Sequence, residues 1–296
     1  MTIDVTKLFC KIDDFWIDFE KEWKKKLLGA QKRAPRRQPS LHSSEVMTIV
    51  ILFHMSGFRN FKTFYQGYLL THLAKLFPTA PSYQRFVELK KSVIFPLHCY
   101  LMSLMGKATG ISFVDSTSLA VCHPKRIYGH KVFNGMAKRG KTSVGWFYGF
   151  KLHIIVNDEG ELLSFALTPG NVDDRTPVPK LVKNNILGLL FGDRGYISSK
   201  LATTLRNQGV QLITRLRSNM KNRFMPFMHK ALLRKRGIVE TIIDQLKNIS
   251  QIEHSRHRSP FNFIVNLLAG LIAYCHQPKK PSLNLRKNEN NMLTVC

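Results

Sequence analysis

The chain has 296 residues, a hydrophobic fraction of 44%, and 45 Lys and Arg against 19 Asp and Glu, for a formal charge of +26 and a pI of about 10.1. Length and hydrophobicity are ordinary for a globular protein with a sizeable core, arranged as one large domain or two modest ones. The charge argues against a plain soluble role without a polyanionic partner, because self-repulsion on this scale destabilises a compact fold, and the simplest such partner is nucleic acid.

Cys10, Cys99, Cys122, Cys275 and Cys296 are scattered without a C-x-x-C pair. That pattern indicates neither a zinc ribbon nor a disulfide framework. It suits free thiols in a reducing cytosol. The start, Met1-Thr2-Ile3-Asp4, carries no signal-peptide pattern. The most apolar run, Phe261 to Cys275, is broken by Asn262 and Asn266. It falls short of the roughly 20 apolar residues a bilayer needs and predicts a buried core helix. No membrane association is expected.

In chain order, Phe9, Ile12, Phe15, Trp16, Phe19 and Trp23 recur at helical spacing over residues 8–27, and Lys24-Lys25-Lys26 suits the C-terminal end of such a helix. Residues 31–39 form a basic linker in which Arg36 and Arg37 are expected to meet DNA phosphates. A second apolar helix is predicted over 44–56, capped by Ser43-Ser44. An aromatic-rich stretch follows over 58–77, then a turn at Pro78-Thr79-Ala80-Pro81. Ser82 caps a helix over 83–94 that displays Arg85, Lys90 and Lys91. Helix, turn and helix with basic residues fit a helix-turn-helix-like DNA-binding region over 1–105, with Arg85 as a contact.

From residue 106 the period changes. Ile111-Ser112-Phe113-Val114 reads as a short buried strand that ends at Asp115. Residues 121–145 are a glycine- and base-rich connection. Trp146, Tyr148, Phe150, Leu152, Ile154 and Val156 then alternate along one strand, Asp158-Glu159-Gly160 turns the chain, and residues 162–167 return as a hairpin partner. Asp173-Asp174 favours the start of a helix running to about Val182. Residues 187–193 form a strand that again ends in a carboxylate, Asp193. A helix from Ser198 to Gln208 and a strand over 211–214 follow. Strand, hairpin, helix, strand, helix, strand is the order of an RNase H-like fold, in which the first and fourth strands adjoin. The expectation is therefore an α/β (α+β) protein: an RNase H-like mixed sheet flanked by helices over 106–276, after the helical N-terminal region and before a basic polar tail over 277–296.

Two aspartates at adjoining strand ends in a basic chain suggest a shared divalent metal site, since a buried carboxylate needs a cation. A two-metal phosphoryl-transfer site needs further carboxylates. Most later acids have plain roles in turns, helix starts or the tail. Glu240 is the best third candidate, with Asp244 or Glu253 next. It lies on a helix whose apolar stripe is Val239, Ile242, Ile243 and Leu246. At about 100° per residue, Arg236, Glu240 and Lys247 share the neighbouring stripe. Lys151 and His153 share one face of the alternating strand, either near the site or as ordinary strand residues.

The ordered set Phe113-Val114-Asp115-Ser116-Thr117, Tyr148-Gly149-Phe150-Lys151-Leu152-His153, Thr168-Pro169-Gly170-Asn171-Val172-Asp173-Asp174, Phe191-Gly192-Asp193-Arg194-Gly195-Tyr196 and Arg236-x-x-x-Glu240-x-x-x-x-x-x-Lys247 resembles the DDE transposases of bacterial insertion sequences, insertion-sequence family 982 above all. Many such enzymes carry a Tyr three residues before the Arg. Leu233 stands there in this chain, so no role of that Tyr carries over. The resemblance implies Asp115, Asp193 and Glu240 as the catalytic and metal-binding triad for Mg2+ or Mn2+, two ions in all. It implies Arg236 and Lys247 as DNA contacts near the scissile bond. Arg194, Lys151, Arg256 and Arg258 are further candidate DNA contacts. It also implies double-stranded DNA as partner (terminal inverted repeats and target), a homodimer or larger synaptic assembly, and a cytoplasmic, nucleoid-associated setting. An RNase H-like nuclease without strand transfer, or an inactive DNA-binding copy, fits the same residues.

Overall fold

The computed structural model describes residues 3–27, 40–183, 186–216, 220, 224–253 and 257–285. Arg36, Arg37 and Arg256, and the tail from residue 286, lie outside the described residues. The chain divides into two compact units.

The first unit comprises Met1–Leu104, Leu246–Ile252 and His257–His276. Its helices are α1 (Val5–Leu27), α2 (Ser43–Met55), α3 (Phe61–Thr63), α4 (Leu70–His72), α5 (Tyr83–Leu89), α6 (Ile94–Ser103) and, from much later in the chain, the helix Pro260–Cys275. A π-helical stretch, Phe64–Leu69, joins α3 to α4. The amphipathic α1 buries Leu8 and Ile12 and sets Phe15 against Tyr100, ring centroids 4.9 Å apart. The predicted helix over 44–56 starts one residue earlier. Its cap is His42, whose backbone N–H donates to Glu45 Oε2 at 2.6 Å. Ser82 caps α5 as expected, accepting from the Arg85 N–H. Phe61, Phe64, Tyr65 and Phe86 pack ring on ring beneath it.

The apolar helix Pro260–Cys275 is buried on nearly every side from Phe263 to Tyr274, as its composition predicts. It packs against α2 and α6 and groups with the N-terminal helices, whereas the sequence places it in the 106–276 segment. A helix apolar all round has to be surrounded, and α2 offers a fully buried row from Val46 to Phe53. Gly270 allows the close approach: a Cβ there would stand 2.5 Å from Ile252. Among the described residues, no helix is long and apolar enough to cross a membrane.

The second unit comprises Met105–Gln245, Glu253–Arg256 and Gln277–Cys296. Its strands are β1 (Ile111–Cys122), β2 (Lys138–Lys141), β3 (Trp146–Asn157), β4 (Leu162–Pro169), β5 (Gly188–Gly192) and β6 (Val210–Thr214). The sheet runs β2-β3-β1-β5-β6, with β4 also on β3. β3 is antiparallel to β1, β2 and β4, and β5 is parallel to β1 and β6. This is the expected RNase H-like mixed sheet. On one face, α7 (Val178–Val182) and α8 (Ser199–Arg206) cover Val114, Ile155 and Leu190. α9 (Phe227–Arg234) packs on β5 and β6, and α10 (Gly237–Asn248) buries Val239, Ile242 and Leu246, three of the four residues of the predicted stripe, while Ile243 is half-buried.

Three details differ from the sequence reading. β1 does not stop at Asp115 but continues to Cys122, because the small hydroxyl residues Ser116, Thr117 and Ser118 find partners His153, Leu152 and Lys151 on the long β3. Residues 138–141, expected within a loop, form edge strand β2 with its charges in solvent. The helix after Asp173-Asp174 begins only at Val178, and the aspartates are used otherwise. The start of the tail is tied down: the Leu283 N–H donates to the Asp158 carbonyl at 2.8 Å.

Candidate active site

The buried run Ser112-Phe113-Val114 anchors β1 in the core, and Asp115 is the first residue to emerge from it. The parallel ladder pairs Ile111 with Leu189 and Phe113 with Phe191. Asp115 and Asp193 each stand two residues beyond that last pair, so they occupy matching positions on adjoining strands. Asp193 directly follows β5. Its carboxylate caps the short turn Arg194–Tyr196, with Oδ1 accepting from the Gly195 N–H at 2.8 Å. A Cβ at Gly195 would lie 2.9 Å from that oxygen, so a larger residue there would shift the carboxylate.

Glu240 sits in the first turn of α10, and Arg236 in the short link between α9 and α10. Arg236 joins the carboxylates. Its Nη1 donates to Asp115 Oδ2 at 3.2 Å and its Nη2 to Glu240 Oε1. The side chains of Arg236 and Asp115 are 21% and 20% exposed, and that of Glu240 is 58% exposed. The site thus grades from the sheet outward. Asp115 Oδ1 also accepts from the Ser116 N–H at 2.8 Å.

Burial pushes the Asp115 carboxyl up to about 6; the Ser116 N–H and Arg236 oppose this, while Asp193 and Glu240 add to it. Asp193 and Glu240 thus both act on Asp115. Tyr196 lies buried under the Asp193 turn. Burial raises its hydroxyl, and Asp115, Asp174 and Asp193 push the same way.

Three carboxylates and no soft ligand form the donor set of a hard divalent cation, so the residues fit Mg2+ or Mn2+ in kind. As they stand, no three such side chains among the described residues form a ready ligand cage. Asp193 is bonded to its own turn, and the Arg236 guanidinium holds the other two.

The other candidates fall elsewhere. Lys151 pairs across the ladder with Ser118 and Thr168, and Asp115 with Ile154, so alternation turns Lys151 to the opposite sheet face. Its side chain is 13% exposed, and its ammonium donates to Val172 O at 3.0 Å and Asp174 Oδ1 at 2.9 Å. His153, on that same face, is buried. Its Nε2 lies 2.8 Å from Thr168 Oγ1, and burial lowers its pKa to about 4, which keeps it neutral at pH 7. Arg194 is exposed beside Asp193, Lys247 lies in the last turn of α10, Arg85 pairs with Glu88 at 2.7 Å, and Arg258 precedes the helix Pro260–Cys275. Glu253 Oε1 accepts from the Ala120 N–H at 3.2 Å.

Sequence reasoning missed Asp174. Beside Asp173 it looks like a helix start, yet it pairs with Lys151 and acts electrostatically on His153 and Tyr196.

No curated protein matches the sequence. A solved structure, that of a piggyBac transposase synaptic complex with hairpin DNA, shares the fold at a TM-score of 0.50 and 12% identity, covering 86% of this chain and 69% of that one. Residues 105–260, just over half of the chain and all three of the carboxylates above, match the family described as "Transposase DDE domain". The chain belongs to the DDE transposase family.

Proposed function

We propose that this chain is the transposase of a bacterial insertion sequence resembling family 982, cleaving DNA at its element's terminal inverted repeats and joining the 3′-OH ends to target DNA. The reading rests above all on Asp115 and Asp193 at matching positions of adjoining parallel strands, with Glu240 linked to Asp115 through one guanidinium. Asp115, Asp193 and Glu240 would be the catalytic acids and would hold Mg2+ or Mn2+, two ions in all. Such ions supply a Lewis-acidic centre that lowers the charge cost on the attacking and leaving oxygens.

The protein's own groups do the positioning. Arg236 pairs with both Asp115 and Glu240. Its planar fork also matches a phosphate, so the same guanidinium would orient the DNA backbone beside these acids. Arg194, exposed one residue after Asp193, takes a neighbouring phosphate, and Lys247 another. Arg85, Arg258 and, in sequence, Arg36, Arg37 and Arg256 extend the cationic footprint, and the helical N-terminal region reads the terminal repeat. Joining two ends to one target calls for a homodimer or larger synaptic assembly. The substrate places the reaction on nucleoid DNA in the bacterial cytoplasm.

The test uses a labelled duplex carrying the end of the element that encodes the chain, with Mg2+, with EDTA, and with Asp115→Ala, Asp193→Ala and Glu240→Ala. Metal-dependent nicking and joined products, lost in each variant, are expected. Nicking without joined products would make the protein a nuclease; binding without nicking would make it an inactive copy.

A further inference from the structure

The basic connection between β1 and β3 has no part in the chemistry above. No acid occurs between Asp115 and Asp158, while Lys125, Arg126, Lys131, Lys138, Arg139 and Lys141 all fall there. Its last part is edge strand β2, which pairs Arg139 with Tyr148 and Lys141 with Trp146. Directly opposed residues share a face, so Arg139, Lys141, Trp146 and Tyr148 stand on one side of this hairpin. The other side is closed: a Cβ on Gly140 would come within 2.7 Å of the Phe147 ring and closer still to the Gly170 carbonyl. On the open side the Arg139 guanidinium lies 4.5 Å, and the Lys141 ammonium 5.7 Å, from the Trp146 ring centroid. The indole is 53% exposed. An edge strand with two cations around a half-exposed indole, and no acid nearby in sequence, is built for an anionic polymer that also offers apolar rings.

The same side of β3 leads toward the site, but only its Trp146 end is open: Tyr148, Phe150, Leu152 and Ile154 are buried, with Phe133 against Phe150. Trp146, Tyr148, Phe150, Leu152 and Ile154 alternate onto one face of β3, and Ile154 is the direct cross-strand partner of Asp115. Eight residues at about 3.3 Å each separate Trp146 from Ile154 by roughly 26 Å. At about 3.4 Å per step, that is seven to eight base pairs of duplex.

We propose that the Arg139–Lys141–Trp146 face of the β2–β3 hairpin is a second DNA contact, which grips duplex about seven to eight base pairs from the scissile phosphate at the Asp115 site. Arg139 and Lys141 meet successive phosphates of one strand, and the Trp146 indole packs on the sugar between them. This rests on the reading of Asp115 as the reacting centre, but its test does not depend on cleavage.

The experiment measures duplex binding by the full chain in EDTA across a salt series, using a labelled duplex of arbitrary sequence. The Arg139→Ala/Lys141→Ala double variant is expected to weaken binding about ten-fold and to lower the slope of log affinity against log salt by about two, one per lost phosphate contact. The charge-keeping variant Arg139→Lys/Lys141→Arg keeps the slope, which separates lost charge from a damaged fold. Duplex should also quench tryptophan emission in the natural chain by more than in Trp146→Phe. An unchanged slope in the alanine variant, or equal quenching in Trp146→Phe, overturns the proposal. If the natural chain still cleaves in Mg2+ in that case, the active-site reading stands. If the slope falls by two but no cleavage occurs in Mg2+, the hairpin contact stands and the active-site reading fails.

Discussion

The Arg236 guanidinium donates to Asp115 at 3.2 Å and also to Glu240 four residues along the chain, so one cation from the α9–α10 link ties a sheet carboxylate to a helix carboxylate. Asp115 and Arg236 are mostly buried. A buried charge that loses its partner costs more than the pair contributes, because the remaining charge stays desolvated.

Arg236→Ala is therefore expected to lower unfolding stability in EDTA by about 1–3 kcal/mol, while Arg236→Lys loses less. Added Mg2+ should recover part of the loss in the alanine variant, because the released carboxylates can then take the ion. Denaturant midpoints with and without Mg2+ check this. Equal midpoints for the natural chain and Arg236→Ala in EDTA would show that the contact contributes nothing.

Asp115 gives a pH signature. Its folded pKa, about 6, lies above the ordinary 3.8, so the folded state holds its proton more tightly than the unfolded state does. Its contribution is favourable below about pH 4 and is lost as pH rises through 6. Asp115→Asn removes the ionisation, so its stability relative to the natural chain should rise between pH 4 and pH 7 by about 1–2 kcal/mol, after discounting for partial solvent screening. Chemical denaturation at the two pH values checks the sign. A stability difference that is flat or falls with pH would rule out a strained carboxylate.

Much of this site is legible in sequence, for a physical reason. An apolar, β-favouring run that ends in Asp has few places to go, and two such runs linked by helices adjoin in a parallel pair. Asp115 and Asp193 follow from that, and the stripe Val239, Ile242 and Leu246 orients the helix that carries Glu240. The continuation of β1 past Asp115 depends on the length of β3, a partner distant in sequence. β2 has four residues, three of them cationic, and becomes a strand only because β3 offers an edge. The pairing of Asp174 with Lys151 is a tertiary contact across a loop, and Asp173-Asp174 carries a stronger local signal for a helix start. The packing of the helix Pro260–Cys275 with N-terminal helices reflects its all-round apolarity, which predicts burial but not the partner.

The Lys151–Asp174 pair, its Asp174 side chain 36% exposed, should behave as a half-buried pair in a double-mutant cycle. Lys151 is 13% exposed and also donates to the Val172 carbonyl. Asp174→Asn leaves the ammonium short of its countercharge and is expected to cost about 1–3 kcal/mol. Lys151→Met in that background should recover most of the loss, giving a coupling energy above about 0.5 kcal/mol. Thermal or denaturant unfolding of the four proteins measures it, and strict additivity would mean that the pair is not coupled.

The choice of Glu240 over Glu253 is open to a direct comparison. Glu240 is coupled to Asp115 both by repulsion and through Arg236. Glu253 accepts from the Ala120 N–H on β1, at a position five residues beyond Asp115. The two glutamates therefore predict different losses. Glu240→Gln keeps size and hydrogen bonding but removes one negative charge, and it should lower Mg2+-dependent cleavage by at least about 10²-fold while DNA affinity in EDTA stays equal or rises slightly, one repulsive charge having gone. Glu253→Gln keeps an acceptor for the Ala120 N–H and should cleave within a few-fold of the natural chain. Single-turnover cleavage at saturating enzyme separates chemistry from binding. Full activity in Glu240→Gln together with loss in Glu253→Gln would transfer the third acid to Glu253.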